Sequence, residues 1–372
     1  MTSTTRLCVA FIVSSLANEG PVRILYGILC QLDKVKFRPV VFTLIPEKSN
    51  SMWQKFVDLN IEIICAPRNV KLAYHILHIR ALLKERNITV LHSHCPRSLW
   101  IAFAIFQHRR ICYTAHIYPG LQTDVLYGSI KGFFVRTISM YMLRRIGSPI
   151  ACSGSVSREF LEQQNFRIPH IDNGCQYPVI NRSRQSISDA KSHLGISEET
   201  IVFLFVGRLS IEKNPLVLAK AFESLSIDAN LLLLIVGDGP LMKELLNYRS
   251  PNIRVEGFHS DVRPFYQAAD FYVSPSLTEG LANTLLEGIS YGIMPILSDI
   301  PSHSYFLEVA DLPKNYTFDP RDALSIKNCL MSARDCDSME HAYLLQQIFA
   351  EHFSASSMTT KYEDVYERIA SH

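Results

Sequence analysis

No apolar run in these 372 residues approaches the roughly 18 consecutive positions that a bilayer-crossing helix needs, although 48% of the residues are hydrophobic. A spanning helix is therefore not expected. The opening MTSTTRLCVAFIVSS enters a strand pattern with neither a charged leader nor a small-residue cleavage site, which points to a cytoplasmic chain. No C-x-x-C pair occurs, and the nine cysteines are odd in number and scattered through apolar segments, so reduced core thiols are expected rather than a disulfide framework. H-E-x-x-H is absent and no paired His/Cys cluster suggests a metal, so none is expected. The phosphate-binding G-x-x-x-x-G-K-[ST] is also absent. The early G-x-G-x-x-G of dinucleotide-binding folds is missing too, since GDGPLM, from Gly237, is only a partial and misplaced match.

What is present is a long alternation. LCVAFIV, PVVFTL, IEIICAP, ITVLHSH, ICYTAH and PIACS read as strands separated by helical stretches. After a polar interval IVFLFVG, NLLLLIVG, NIRVEGF, DFYVSPS and MPILSD repeat the pattern. The expected class is α/β, with two Rossmann-like doubly wound domains in tandem facing a central cleft. The boundaries read as 1–175 for the first domain, 176–200 for a linker with a short helix, and 201–356 for the second. An amphipathic helix over 357–372 has room to cross back to the first domain. The net charge of +2 hides a split: residues 1–175 hold 21 Lys/Arg against 10 Asp/Glu, and residues 176–372 hold 16 against 25. A basic first half suits a polyanion or an anionic membrane surface.

Candidate chemistry gathers at strand ends in the second half, where open α/β sheets bind ligands. Gly207 and Arg208 follow one strand, with Lys213 five residues beyond Arg208, a spacing that lets both cations converge on a diphosphate. VGDGP follows the next strand and reads as a tight turn into a helix. In LTEGLANTLLEG, Glu279 falls in a strand-to-helix loop and Glu287 inside the helix. A start near Ala282 aims the amides of Ala282, Asn283 and Thr284 at the crevice, a place for phosphate or sugar oxygens. The pair of glutamates alone proves nothing, since two such residues eight positions apart arise by chance in most chains this long. The DCD at Asp335 to Asp337 lies away from strand ends and reads as surface carboxylates.

Taken in order, VGRLSIEKN, VGDGP, VEGFHSDV and ADFYVSPSLTEGLANTLLEGISYGIMPILSD resemble the nucleotide-sugar-binding half of the retaining glycosyltransferases of family four (glycosyl transferases group 1), which have the GT-B fold. GPVRILYGIL, VLHSHCPRS, YTAHIYPG, ACSGSVSREF and HIDNGCQY match the first half more loosely. The resemblance implies that Glu287 holds the ribose hydroxyls and Glu279 the donor sugar, with amides of Gly280, Leu281, Asn283 and Thr284 on sugar or phosphate. It implies that Arg208 and Lys213 neutralise the diphosphate and the charge developing on the leaving phosphate, with no metal required. Gly20, opening a helix with Pro21, then lets backbone approach the diphosphate; relatives often have a second glycine where this chain has Glu19. His116 matches a histidine that faces the donor sugar, whereas His92 and His94 read as structural. Retention without an evident protein nucleophile fits a front-face reaction.

The donor expected is a UDP-hexose or UDP-N-acetylhexosamine, with GDP-mannose as runner-up. A lipid-linked saccharide is the expected acceptor, in bacterial surface polysaccharide (lipopolysaccharide O-antigen) synthesis, and no nucleic acid is involved. Residues 95–158 hold eight Lys/Arg and one acid, Asp124. The basic, aromatic stretch 125–147 suits a peripheral position on an anionic inner membrane face. Two other readings stand beside this one: a catalytically silent nucleotide-sugar-binding partner subunit, and a two-domain nicotinamide-dependent oxidoreductase.

Overall fold

The computed structural model describes residues 6–66, 72–120, 128–177, 179–225, 230–248 and 250–371. Among them are twelve strands: β1 (Leu7–Val13), β2 (Phe37–Thr43), β3 (Glu62–Ile64), β4 (Val90–Ser93), β5 (Ile111–Ala115), β6 (Ser148–Ala151), β7 (Ile201–Val206), β8 (Leu231–Val236), β9 (Ile253–Gly257), β10 (Phe271–Ser274), β11 (Met294–Ser298) and β12 (Thr317–Phe318). They form two six-stranded sheets, ordered β3-β2-β1-β4-β5-β6 and β12-β11-β10-β7-β8-β9. Every pairing is parallel. The two orders are the same doubly wound arrangement, so the expected α/β class holds in both halves. In each sheet the chain reverses direction beside its first strand, between β1 and β4 and between β7 and β10, where such sheets open a crevice at their carboxyl ends.

The continuous apolar runs follow from having both faces covered. Along β1 the side chains alternate: Ala10 and Ile12 join the core with Val40, Leu91 and Phe160, while Val9, Phe11 and Val13 join the opposite core with Ile28, Met358 and Tyr366. The chain divides into two compact units, 1–175 with 355–372, and 176–354. Helix Ala355–Ala370 belongs to the first unit and buries Met358, Tyr362, Val365, Tyr366 and Ile369. It lies against helix Gly20–Gln31 so closely that a Cβ on Gly27 would stand 3.5 Å from Cβ of Ala355.

In the second unit the polar stretch after Gln176 contains helix Arg184–His193, started by a reciprocal Ser183/Ser186 capping box. Lys191 on this helix is buried and meets Asp270 at 2.8 Å, and Asp270 also accepts the Val202 amide at 2.8 Å. The pair fixes the helix to the start of β7. Removing Lys191 leaves the buried Asp270 with Arg182 as its remaining cation, so Lys191→Ala is expected to destabilise this unit by up to about 3 kcal/mol. Asp270→Ala should cost at least as much, since it leaves both Lys191 and the buried Arg182 without their carboxylate. Urea midpoints of the three proteins check this, and an unchanged midpoint in either variant would contradict it.

Candidate active site

In the second unit the loop after β7 carries Gly207 and Arg208, and the neighbouring VGDGP turn is what holds that loop. Gly237 has φ of +147° and a Cβ there would fall 1.8 Å from the Gly207 carbonyl oxygen; one on Gly239 would fall 2.5 Å from that of Leu209. Backbone passes where side chains would be, so both positions require glycine. Amide bonds from Leu209 to the Asp238 oxygen (3.0 Å) and from Leu241 to the Leu209 oxygen (2.9 Å) complete the clasp. Arg208 is exposed at the tip of this loop, at the carboxyl end of β7.

Beyond it, the single 3₁₀ turn Ile211–Lys213 ends at Asn214, whose left-handed φ of +55° is one that asparagine tolerates. The Asn214 amide group donates to the carbonyls of Pro275 (3.2 Å) and Pro320 (2.7 Å), and the Leu277 amide donates to the Glu212 carbonyl (2.8 Å). These bonds bring the loop after β10 against the 3₁₀ turn. As a result the Lys213 ammonium pairs with the Glu279 carboxylate, whose side chain is only 10% exposed. Burial works to raise the Glu279 carboxyl, but the charge and hydrogen bond of Lys213 and the Ser276 hydroxyl outweigh it and hold the group below its ordinary range.

Behind Glu279 is a buried polar tier. Ser276 Oγ donates to Glu279 Oε1 at 2.8 Å and lies 3.3 Å from Ser274 Oγ, which lies 3.3 Å from His303 Nε2. On its other side His303 Nδ1 is 2.9 Å from the Ser298 carbonyl, and Ser298 Oγ donates to the Ser276 carbonyl at 2.6 Å. Burial pushes the His303 imidazole down to about 4, so it is neutral at physiological pH.

Helix Asn283–Ser290 starts after Ala282, one residue beyond the expected start, and its first-turn amides face the loop of Gly280 and Leu281, both buried. Glu287 is 1% exposed, and the Tyr266 hydroxyl donates to Glu287 Oε2 at 2.9 Å, its one proton shared with the Thr284 carbonyl at 3.1 Å. Tyr272 lies 2.8 Å from Thr284 Oγ1. Lys213 and Glu279 are thus in contact, Arg208 stands on the adjoining strand end, and Glu287 is set one helical segment deeper. Among the described residues no three His, Cys, Asp or Glu gather as metal ligands.

In the first unit, Gly20 is exposed at the first position of its helix. Its neighbour Glu19 is drawn to Lys48 at 3.2 Å. The loop before it is pinned by Glu47, which accepts the Leu16 amide (3.0 Å) and the Ser51 hydroxyl (2.6 Å). His116, at the end of β5, stacks on His94 with ring centres 5.7 Å apart, and His94 lies tilted against His92 at 4.0 Å. His92 is held by Tyr366 (2.7 Å) and by Thr114 (2.8 Å), which Tyr362 bonds in turn (2.6 Å).

All three imidazoles are neutral at pH 7. Burial lowers His92 to about 3, His94 well below its ordinary value and His116 to about 4. The unfolded chain takes up protons near pH 6.5 that the folded first unit refuses, so its stability falls as pH drops below about 6.5. Each group contributes a slope of up to about 1.4 kcal/mol per pH unit. The second unit has His303 alone in this class among the described residues. Both tryptophans, Trp53 and Trp100, lie in the first unit. Urea unfolding followed by their fluorescence should therefore lose its midpoint between pH 7 and 5 faster than a probe in the second unit, and a pH-independent fluorescence midpoint would refute this.

Tyr266, Ser276 and His303 escape a reading of the sequence. Only Ser276 has any local signal, the S-x-x-E spacing to Glu279; the other two reach the site through tertiary contacts 21 and 29 residues along the chain from their partners.

Residues 200–332 match the family model of Glycosyl transferases group 1. The chain is 38% identical over 149 residues to a UDP-Gal:alpha-D-GlcNAc-diphosphoundecaprenol alpha-1,3-galactosyltransferase of Escherichia coli, covering 36% of this chain and 37% of that protein. It is 22% identical over 290 residues to alpha-monoglucosyldiacylglycerol synthase of Streptococcus pneumoniae, covering 73% and 66%. The matches thus span between about a third and two thirds of these relatives. The crystal structure of Anabaena Alr3699/HepE in complex with UDP-glucose superposes with a TM-score of 0.80 at 15% identity, covering 98% of this chain and all of that one, which identifies the fold.

Proposed function

We propose that this chain, which carries a group 1 glycosyltransferase domain over residues 200–332 within a GT-B fold, is a retaining glycosyltransferase. It moves a hexose or N-acetylhexosamine from a nucleotide diphosphate sugar to a lipid-linked saccharide in the synthesis of a bacterial surface polysaccharide. The observation that carries the reading is the placement of Lys213 on Glu279, beside Arg208 and above the buried Glu287, at the carboxyl ends of β7 and β10.

The roles follow from charge and position. Glu287, oriented by Tyr266, accepts from the two ribose hydroxyls. Glu279, kept ionised by Lys213 and Ser276, accepts from hydroxyls of the sugar. Gly20, Gly207 and the amides of Gly280, Leu281, Asn283 and Thr284 approach phosphate or sugar oxygens. As the bond from the sugar to the diphosphate breaks, negative charge grows on the leaving phosphate, and Lys213 and Arg208 stabilise it without a metal ion. The acceptor hydroxyl attacks the same face that the phosphate leaves, and the leaving phosphate oxygen takes its proton. His116, a neutral imidazole, contributes a hydrogen bond to the sugar.

A UDP-linked donor is favoured by the E. coli relative, named for UDP-Gal, and by the UDP-glucose held by Anabaena Alr3699/HepE. The first relative acts on a diphosphoundecaprenol-linked sugar and the second makes a diacylglycerol glycolipid, which favours a lipid-linked acceptor and a peripheral position on the cytoplasmic membrane face. No described helix is long and apolar enough to cross a membrane. The test is transfer of labelled sugar from a panel of nucleotide sugars into lipid extracts and into soluble glycans. Label in the lipid fraction from a UDP-sugar supports the reading; label confined to soluble glycan removes the lipid acceptor.

A further inference from the structure

Helix Ser129–Leu143 has an apolar stripe on the wrong side for a globular protein. Its inner side is accounted for: Met140 and Leu143 are buried, and Trp100 Nε1 donates to Ser139 Oγ at 3.2 Å. Yet Ile130 is 78% exposed, Phe133 54%, Phe134 58% and Tyr141 52%, with Ile138 in the same row. The spacing of three, one, four and three residues places them along one outward face. Aromatic and aliphatic groups in such a row mark a surface made to be covered.

The stripe leads into a cationic recess. Arg145 lies over the Tyr141 ring at 4.3 Å, and with Gln107, His108, Arg109 and Arg110 it lines a hollow of about 340 Å³ that has no acidic group among the described residues. The recess is built rather than accidental. Gly147 donates its amide to the His108 carbonyl at 2.9 Å, and a Cβ on Gly147 would fall 1.9 Å from the Arg109 carbonyl oxygen. His108 stacks on Phe103 with ring centres 3.7 Å apart and bonds its carbonyl at 2.8 Å. Among the described residues no carboxylate pairs with Arg109, Arg110 or Arg145.

We infer that this recess seats the phosphate of an anionic phospholipid, with the Ile130 to Tyr141 stripe resting among the neighbouring acyl chains. Forked guanidinium groups match phosphate oxygens pairwise, which a point charge does not. An apolar row that ends in arginines matches the two chemistries of one lipid molecule, and a soluble anion would leave the row uncovered. Lys131 lies on the same helix and adds to the attraction. Of the basic stretch 125–147 expected to meet a membrane, residues 125–127 lie outside the described residues. Arg144 is engaged within the fold instead, since its Nη2 donates to the Gln164 carbonyl at 2.8 Å and its guanidinium covers Phe166 at 4.6 Å.

The inference deepens the proposed peripheral membrane position, and its readout is independent of sugar transfer. The full chain is sedimented with vesicles of phosphatidylcholine alone or mixed with phosphatidylglycerol, at fixed ionic strength, and its affinity for nucleotide is measured in parallel. Parent protein should bind the anionic vesicles and leave the neutral ones. Replacing Arg109, Arg110 and Arg145 together with lysine preserves charge and should still weaken binding by about tenfold or more, because the forks are lost. Phe133→Ser with Phe134→Ser should weaken it comparably, and inorganic phosphate should compete better than chloride of equal ionic strength. Nucleotide affinity and melting temperature should be unchanged in each variant. Undiminished binding by the triple lysine variant would leave only general attraction and overturn the seat. So would equal binding to neutral vesicles, no binding to anionic ones, or self-association without lipid that the serine variants abolish.

Discussion

Lys213→Ala is expected to lower sugar transfer by about 10²–10³-fold while the protein remains folded and still binds nucleotide. Two effects add. The ammonium is the cation held closest to the site, so its removal leaves charge on the leaving phosphate to Arg208 alone. It is also the partner that holds Glu279 below its ordinary range against the pull of burial, so without it the carboxyl rises and loses the contact that fixes it for the sugar. Lys213→Arg keeps the positive charge and should recover part of the rate. Stopped transfer assays of the three proteins check this, and an alanine variant within about threefold of the parent would remove Lys213 from the chemistry.

The second large effect separates the two glutamates. Glu287→Ala should reduce affinity for free nucleoside diphosphate by about tenfold or more, since two hydroxyl bonds to a buried carboxylate are lost. Glu279→Ala should leave free-nucleotide affinity near that of the parent and abolish transfer. The reason lies in their neighbours: Glu287 is set among Tyr266 and Thr284 inside the helix, whereas Glu279 shares its loop with Ser276 and meets Lys213. Calorimetric titration with nucleoside diphosphate distinguishes them, and equal losses in both variants would contradict the division.

The same contrast shows what the chain discloses before it folds. Runs such as LCVAFIV and NLLLLIVG are unbroken because both sheet faces are covered, so the doubly wound class is legible in them. The two-residue strand β12 is too short to have a period and is not legible. Arg208, Lys213, Glu279 and Glu287 are visible because they sit at fixed offsets from strand ends. That Lys213 reaches Glu279 is a matter of Asn214 and Leu277 drawing two loops together, and no local pattern announces it. The VGDGP glycines carry a similar lesson: their sequence suggests only a tight turn into a helix, and in the fold they also make room for the backbone that carries Arg208. His92 and Tyr366, separated by 274 positions, meet only because the last helix returns to the first sheet.

The central claim is that the loops after β7 and β10 hold a nucleotide diphosphate sugar and break its glycosidic bond with side chains alone. Its most direct measurement is release of nucleoside diphosphate from UDP-sugars by the purified chain in the presence of a metal chelator, with Glu279→Gln run beside it. The account predicts steady release by the parent, unchanged by chelator, and little or none by the variant. A parent that neither binds nor cleaves any nucleotide sugar, or one that works only with a divalent metal, would contradict it.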